Sequence, residues 1–346
     1  MSEKPYAEGP VAALRRIAFL LERGREDTYK VKAFRAAAAT LTPMDPDDVA
    51  DAAARGTLTD LPGVGASTAA VIADAVLGVL PARLARAEAD FGGPLVEGGE
   101  GLLDLLRGDL HSHSDWSDGG SPIEEMAFTA LELGREYQVL TDHSPRLKVA
   151  RGLSAERLAR QLEVVAAVNA HLADTGFTLL SGIEVDILDD GALDQTEEML
   201  ERLDLRVASV HSKLAMEPAA MTRRMIAAIE NPFVDVLGHC TGRLVTGGRG
   251  TRPESRFDAR AVFEACAAHD VAVEINARPE RRDPPTRLLE LARDIGCLFS
   301  IDTDAHAPGQ LDFLAYGAAR AEAAGIDPDR IVNTWPRERL LAWTSR

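Results

Sequence analysis

LLRGDLHSHSDWSDGG, residues 105–120, runs a short β-prone segment into two histidines and two aspartates. Six further β-prone runs follow: YQVLTDH (137–143), FTLLSGIE (177–184), LDLRVASVH (203–211), FVDVLGH (233–239), VAVEIN (271–276) and CLFSID (297–302). Helix-like stretches such as AERLARQLEVVAAVNAHLA (155–173) and ARAVFEACAAHD (259–270) lie between them. Strands alternating with helices predict a parallel sheet of α/β type, and seven of them predict a closed or nearly closed barrel. All C-terminal strand ends of such a barrel open on one face. His111, His113, Asp118, His143, Glu184, His211, His239, Asp304 and His306 all sit at or just beyond strand ends, so they are expected to converge in one pocket. Six of the chain's eight histidines belong to this set, a clustering that packing does not explain. Imidazole mixed with carboxylate suits zinc, manganese or iron, whereas magnesium and calcium prefer oxygen alone. Nine ligands exceed the need of one ion, and a bridging carboxylate would let them hold two or three.

Residues 11–90 read differently. Val11, Leu14, Ile17, Ala18 and Leu21 recur at helical spacing, as do Phe34, Ala37, Ala38 and Leu41 ahead of Pro43. DPDDVADAAARG predicts a third helix ending at Gly56, and LPGVGASTAAVIADAV a glycine hairpin leading into a fourth. Gly63 and Gly65 permit a tight turn whose amides, at a helix start, can hold a DNA phosphate. FGGPLVEGGEG (91–101) is the best linker, which places the expected domains at 1–100 and 101–346.

The chain has 346 residues and a formal charge of −17, which argues against non-specific coating of nucleic acid and leaves local contacts open. Within 11–35 seven basic residues face three acidic ones, and Lys30, Lys32 and Arg35 of that stretch are candidate phosphate contacts. The chain has neither a long apolar run nor a signal-peptide pattern at its start, which predicts a cytoplasmic protein without a membrane anchor. Cys240, Cys266 and Cys297 are too widely spaced for a thiolate metal motif and read as core residues, Cys240 included despite its place beside His239.

DLHSHSDWSDG, LTDHS, GIEVDIL, VASVHSKL, VDVLGHCTGR, VEINARPER and IDTDAHAPG, in that order, resemble the PHP (polymerase and histidinol phosphatase) domain, most closely the one appended to bacterial family X DNA polymerases. The resemblance covers about residues 105–340. It implies a distorted (β/α)7 barrel with three divalent ions, Zn or Mn, with Fe a further option. One site would use His111, His113, Glu184 and Asp304, a second Glu184 as bridge with His211 and His239, and a third Asp118, His143 and His306. The implied reaction is hydrolysis of a phosphoester by metal-activated water. Lys213, Arg243 and Arg278, just past the fourth, fifth and sixth strand ends, are candidate clamps for phosphate oxygens, with Asn276 a lesser one.

Residues 11–90, through DTYKVKAFRAAAATL and the hairpin, resemble the small DNA-binding domain of family X polymerases, which grips the 5′ side of a gap. That all-α helix-hairpin-helix domain departs from the lyase members, which place a Schiff-base lysine where this chain has Val71 and often a lysine where it has Ser67, so lyase activity is not expected. Only about 20 residues separate the module from the barrel, too few for fingers, palm and thumb, so DNA synthesis is not expected either. The leading expectation is a manganese-stimulated 3′–5′ exonuclease or 3′-end phosphatase acting on gapped or 3′-ended DNA. The alternatives are a phosphatase of small phosphomonoesters, such as histidinol phosphate or a nucleotide, and a non-hydrolytic DNA-binding scaffold. No obligate protein partner is called for.

Overall fold

The computed structural model describes residues 5–248 and 250–345. The chain divides into two compact units, the first running to Pro94 and the second starting at Leu95. The boundary therefore falls ahead of residue 100: Gly99 already belongs to the second unit, where its N–H donates to Glu322 Oε2 at 2.9 Å.

The first unit consists of α1 (Gly9–Arg23), α2 (Thr28–Leu41), α3 (Pro46–Arg55), α4 (Ala66–Val76) and α5 (Ala82–Phe91). Side chains at the helix starts explain where these begin. Asp27 accepts from the Tyr29 amide at 2.7 Å and Asp45 from that of Asp47 at 2.9 Å, with Pro46 in the first turn of α3 and left-handed Gly56 closing it. Leu14, Ile17, Ala18 and Leu21 form one buried face of α1, in a core shared with Phe34, Ala37, Ala38 and Leu41 of α2 and Val71, Ile72 and Ala75 of α4. Burying each large aliphatic side chain contributes roughly 1.5–3 kcal/mol, which is what holds so small a unit together. Between α3 and α4 the chain turns at Gly63, whose φ of 73° is open to glycine and costly for a residue with a Cβ.

The second unit is a seven-stranded parallel sheet in sequential order: β1 (Gly108–Ser112), β2 (Tyr137–Leu140), β3 (Thr178–Asp186), β4 (Leu205–Ser209), β5 (Val236–Leu237), β6 (Ala272–Asn276) and β7 (Phe299–Asp302). The main crossover helices are α6 (Ile123–Glu132) after β1, α7 (Ala155–His171) after β2, α8 (Pro218–Ile229) after β4, α9 (Ala259–Ala268) after β5 and α10 (Thr286–Ile295) after β6. α11 (Leu314–Ala323) and α12 (Arg337–Thr344) follow β7. The ends meet as well: Ser112 bridges Ala305 in parallel, the His113 amide donates to the Ala305 carbonyl at 2.8 Å, and the Leu110 amide donates to Asp302 Oδ1 at 3.0 Å. The result is the expected nearly closed barrel.

The barrel interior is layered, because alternate strand residues share a face. Leu180 and Glu184 share one in β3, Leu205, Val207 and His211 one running through β4 and past its end, and Ala272 and Glu274 one in β6. The early members, Leu180, Leu205, Val207, Val236 and Ala272, join Trp335 and Leu340 in a buried apolar floor. The later members are the imidazoles and carboxylates described below. Outward-facing Ile183, Val185, Val273, Ile275 and Ile301 pack with Met225, Phe263 and Leu289 of the surrounding helices. All three cysteines are buried and unpaired, and burial pushes the Cys297 thiol up to about 12, as suits core residues. Among the described residues, no helix is long and apolar enough to cross a membrane.

Candidate metal centre

The loop SHSDWSDGG carries two of the nine candidates, His113 and Asp118, out of β1, and His111 sits within the strand itself. Asp142, buried at the end of β2, shapes this loop: it accepts from the Ser114 amide at 2.8 Å, from the Ser114 and Ser117 hydroxyls and from Gln161 Nε2 at 2.6 Å. Gly119 closes the turn with its N–H on the Ser114 carbonyl at 2.9 Å, so close that a Cβ would strike that peptide. Asp118 is thereby presented at the mouth.

All nine candidates converge. Glu184, fully buried at the end of β3, is the hub. Its Oε2 lies 2.8 Å from His143 Nδ1, 3.4 Å from His111 Nε2 and 3.6 Å from His113 Nε2, and its Oε1 lies 2.8 Å from His239 Nε2 and 3.1 Å from His211 Nε2. Asp304 Oδ1 is 3.4 Å from His113 Nε2. Asp118 Oδ1 stands 3.3 Å from Nε2 of both His143 and His306. Three sets have ligand atoms within 4.8 Å of one another: His111, His113 and Asp304; His143, Glu184 and His211; and His113, Asp118, His143 and His306. His143 therefore faces two sets, Nδ1 towards Glu184 and Nε2 towards Asp118, where the family pattern implied only the second.

The donor chemistry fits cations. Nε2 of His111, both nitrogens of His113 and His211, Nδ1 of His143 and His239, and Oε2 of Glu184 are buried without a hydrogen-bond partner. Where no opposite partner faces such an atom it costs about 1–3 kcal/mol. Several sit at short distances from carboxylate oxygens with lone pairs converging on a common space, which is the arrangement of a metal-ligand set. Electrostatics agree. Burial pulls the His143 imidazole down, but Glu184 and Asp118 outweigh it and push it up to about 10. Burial raises Glu184, and the imidazoles of His211, His111 and His143 hold it well below the carboxylate range instead. Burial and then the neighbouring His306 and His143 keep His113 neutral, well below an ordinary histidine. The metal-free centre thus couples an ionised Glu184 to imidazoles of which His143 is held charged and His113 neutral.

Second contacts orient the ligands. His111 Nδ1 lies 2.5 Å from Glu274 Oε1, which fixes the proton there and leaves Nε2 for the basin; the His239 amide donates to the other Glu274 oxygen. His306 Nδ1 lies 2.9 Å from the Asp304 carbonyl, which leaves its Nε2 for the Asp118 side. Asp186 accepts from the His211 amide at 3.1 Å, and Arg224 of α8, buried, donates to the Ile187, Leu188 and Ser212 carbonyls and ties the ends of β3 and β4 together. Arg281 Nε donates to Asp304 Oδ2 at 2.9 Å. Sequence reasoning does not single out Glu274, Asp186, Arg224 or Arg281. The one available signal is Glu274, a carboxylate inside the apolar run AVEIN.

The candidate clamps separate. Arg278 reaches the basin, with Nη1 3.5 Å from Asp304 Oδ1 and donating to the Asp304 carbonyl at 3.2 Å. Asn276 Nδ2 donates to Asp304 Oδ2 at 3.2 Å. Lys213 stands on the rim, 61% exposed, with Nζ 2.6 Å from Asp189. Arg243 turns away instead: its guanidinium donates to the Arg281 and Arg282 carbonyls and approaches Glu254, bracing the loop after β6. In the first unit, Gly65 is extended at the exposed start of α4 and its N–H donates to Thr68 Oγ1 at 2.9 Å. Lys32 is exposed and Lys30 pairs with Glu26 at 2.6 Å, but Arg35 is committed to Glu22 in a largely buried two-point pair at 3.0 and 2.6 Å. That pair joins α1 to α2, so Arg35 does not serve as a free phosphate contact.

Barrel and basin together define a metal-dependent hydrolase of the α/β-barrel class. Residues 109–278 match the PHP domain and residues 8–77 the Helix-hairpin-helix domain. The chain is thus a PHP-domain protein with an N-terminal helix-hairpin-helix domain, the architecture of a metal-dependent phosphoesterase without a polymerase palm between the two. It is 38% identical over 244 residues to "DNA polymerase/3'-5' exonuclease PolX" of Bacillus subtilis, a match that covers 70% of this chain and 42% of that relative's length. It is 27% identical over 248 residues to "Probable phosphatase YcdX" of Escherichia coli K12, covering 69% of this chain and 94% of the relative. Among solved structures, histidinol phosphate phosphatase from Lactococcus lactis, complexed with zinc, L-histidinol and phosphate, covers 64% of this chain and 95% of its own at 19% identity and a TM-score of 0.46.

Proposed function

We propose that this chain hydrolyses phosphoester bonds at DNA ends, as a 3′–5′ exonuclease or a 3′-end phosphatase. The observation that carries the hydrolytic part is the set of converging, unpartnered imidazole and carboxylate atoms around Glu184. The DNA part rests on the helix-hairpin-helix match and on likeness to a relative whose name includes a 3′–5′ exonuclease.

His111, His113, Asp118, His143, Glu184, His211, His239, Asp304 and His306 would hold three divalent ions, Zn or Mn, with Glu184 shared between them. Bound there, such ions supply an acidified water and neutralise charge on phosphoryl oxygens. The chain's own groups set the direction of approach. Exposure rises from buried His111 and His113 through His211 (13%) and His306 (19%) to Asp118 (35%), so a phosphate enters past Asp118 and His306. Arg278, beside His306, donates to a non-bridging oxygen, while Arg281 and Asn276 keep Asp304 in place. At the other unit, the first-turn amides of α4 at Ala66 and Ser67 lack an N-cap side chain and face solvent, a fit for a backbone phosphate, with Gly63 and Gly65 allowing close approach and Lys30 and Lys32 adding charge.

The test is to incubate metal-loaded protein with 3′-labelled gapped DNA and, in parallel, with a panel of phosphomonoesters. Release of label that disappears in His111→Ala supports the proposal. Turnover of monoesters alone contradicts it and favours a small-molecule phosphatase. That second reading has two supports of its own: the phosphatase-named relative matched over 94% of its length and the chain's charge of −17.

A further inference from the structure

Residues 145–160 carry Arg146, Lys148, Arg151, Arg157 and Arg160 against a single acid, Glu156, in a chain whose net charge is −17. This stretch follows His143 out of β2, so it lies on the mouth face of the barrel. Three of its arginines, with Asp115 and Trp116, line a cavity of about 210 Å³. Asp115 and Trp116 belong to the loop between His113 and Asp118, and three residues of chain span at most about 11 Å, so the cavity adjoins the metal basin.

The arginines divide by role. Arg157 is structural: its guanidinium donates to the carbonyls of Arg151, Gly152 and Trp116, clamping the two loops together. Arg151 and Arg160 are exposed at the same cavity. Arg160 has only a 3.7 Å approach to Glu156 one turn back, and Arg151 faces Asp115, whose carboxylate burial and Glu124 raise and Arg151 lowers. Trp116 is half-buried, with its inner side against the core and the rest lining the cavity. Two cations and an indole are the usual partners of a nucleotide: guanidinium for phosphate, and a ring for base or sugar.

We propose that this cavity is a second phosphate subsite. Arg151 and Arg160 bind a backbone phosphate of the strand whose end lies in the metal basin, and Trp116 lies against the adjoining nucleoside. The proposal rests on the DNA-end reading and names where the strand runs.

The experiment compares metal-loaded wild type, the double variant Arg151→Glu/Arg160→Glu and the conservative Arg151→Lys/Arg160→Lys on two probes, a 5′-labelled single-stranded oligonucleotide ending in a 3′-phosphate, which either a 3′-end phosphatase or a 3′–5′ exonuclease would alter, and p-nitrophenyl phosphate. The charge-reversed variant raises KM for the oligonucleotide about tenfold and makes its salt dependence shallower by about 0.7 for each phosphate no longer neutralised, whereas the small ester is turned over as by wild type and the lysine variant keeps most of the affinity. An equal loss on both probes, or no change on either, overturns the subsite. Wild type that turns over the ester and leaves the oligonucleotide intact overturns the DNA-end reading itself, and the subsite with it.

Discussion

Glu274 shows what a single residue contributes behind the ligands. It holds the Nδ1 side of His111 at 2.5 Å and takes the His239 amide, so Glu274→Gln keeps the shape and loses the charge that fixes the tautomer. The expected result is a fold that melts normally and a metal affinity lower by about 10–100-fold, read by titration against a chelating dye. Loading should also release protons. In the metal-free chain burial lowers His143 and the carboxylates of Glu184 and Asp118 raise it to about 10, so at pH 7–8 it holds a proton that a cation must expel. An unbuffered indicator assay reads that release, and none is expected from His143→Ala at that position. At this scale the sequence is legible wherever chemistry coincides with position: an imidazole just past a strand end has few structural reasons to be there. Glu274, Asp186 and Arg281 stay hidden because their meaning depends on which face of a strand or loop they take and on what lies opposite, which spacing alone does not reveal.

Elements carry a clearer signal than their edges. Each of the seven strands is legible as a β-prone run between helical segments, and the parallel barrel follows from the alternation. β5 spans only Val236–Leu237 of its run FVDVLGH, and the closure between β1 and β7 is helped by Asp302, a side chain standing in for a ladder partner. Neither is written in periodicity. Arg35 departs from expectation for a related reason: its charge looks available on α2, but Glu22 on α1 lies across from it and takes both ends of the guanidinium. The hairpin ahead of α4 offers a test at this scale. At Gly63 the backbone has φ 73°, and a Cβ would come within 3.2 Å of that of Ala36, so Gly63→Val should destabilise the first unit by about 1–2 kcal/mol. Thermal unfolding followed by circular dichroism should show an earlier loss of helical signal. An unchanged profile would mean that the turn tolerates a side chain and that the glycine is retained for another reason.

For the whole molecule, one unit brings a basin built for cations and the other a hairpin suited to phosphate, within a chain too acidic to coat nucleic acid unaided. Binding to DNA should therefore depend on few contacts, and cleavage on the ions. All of this stands on the claim that the ligands around Glu184 hold a multinuclear centre. Elemental analysis of purified protein, loaded with manganese or zinc and then desalted, tests that claim directly. The account predicts about three ions per chain, one for each of the three ligand sets, falling to two or fewer in Glu184→Gln. Retention of no ion, or of a single ion unaffected by Glu184→Gln, would contradict it.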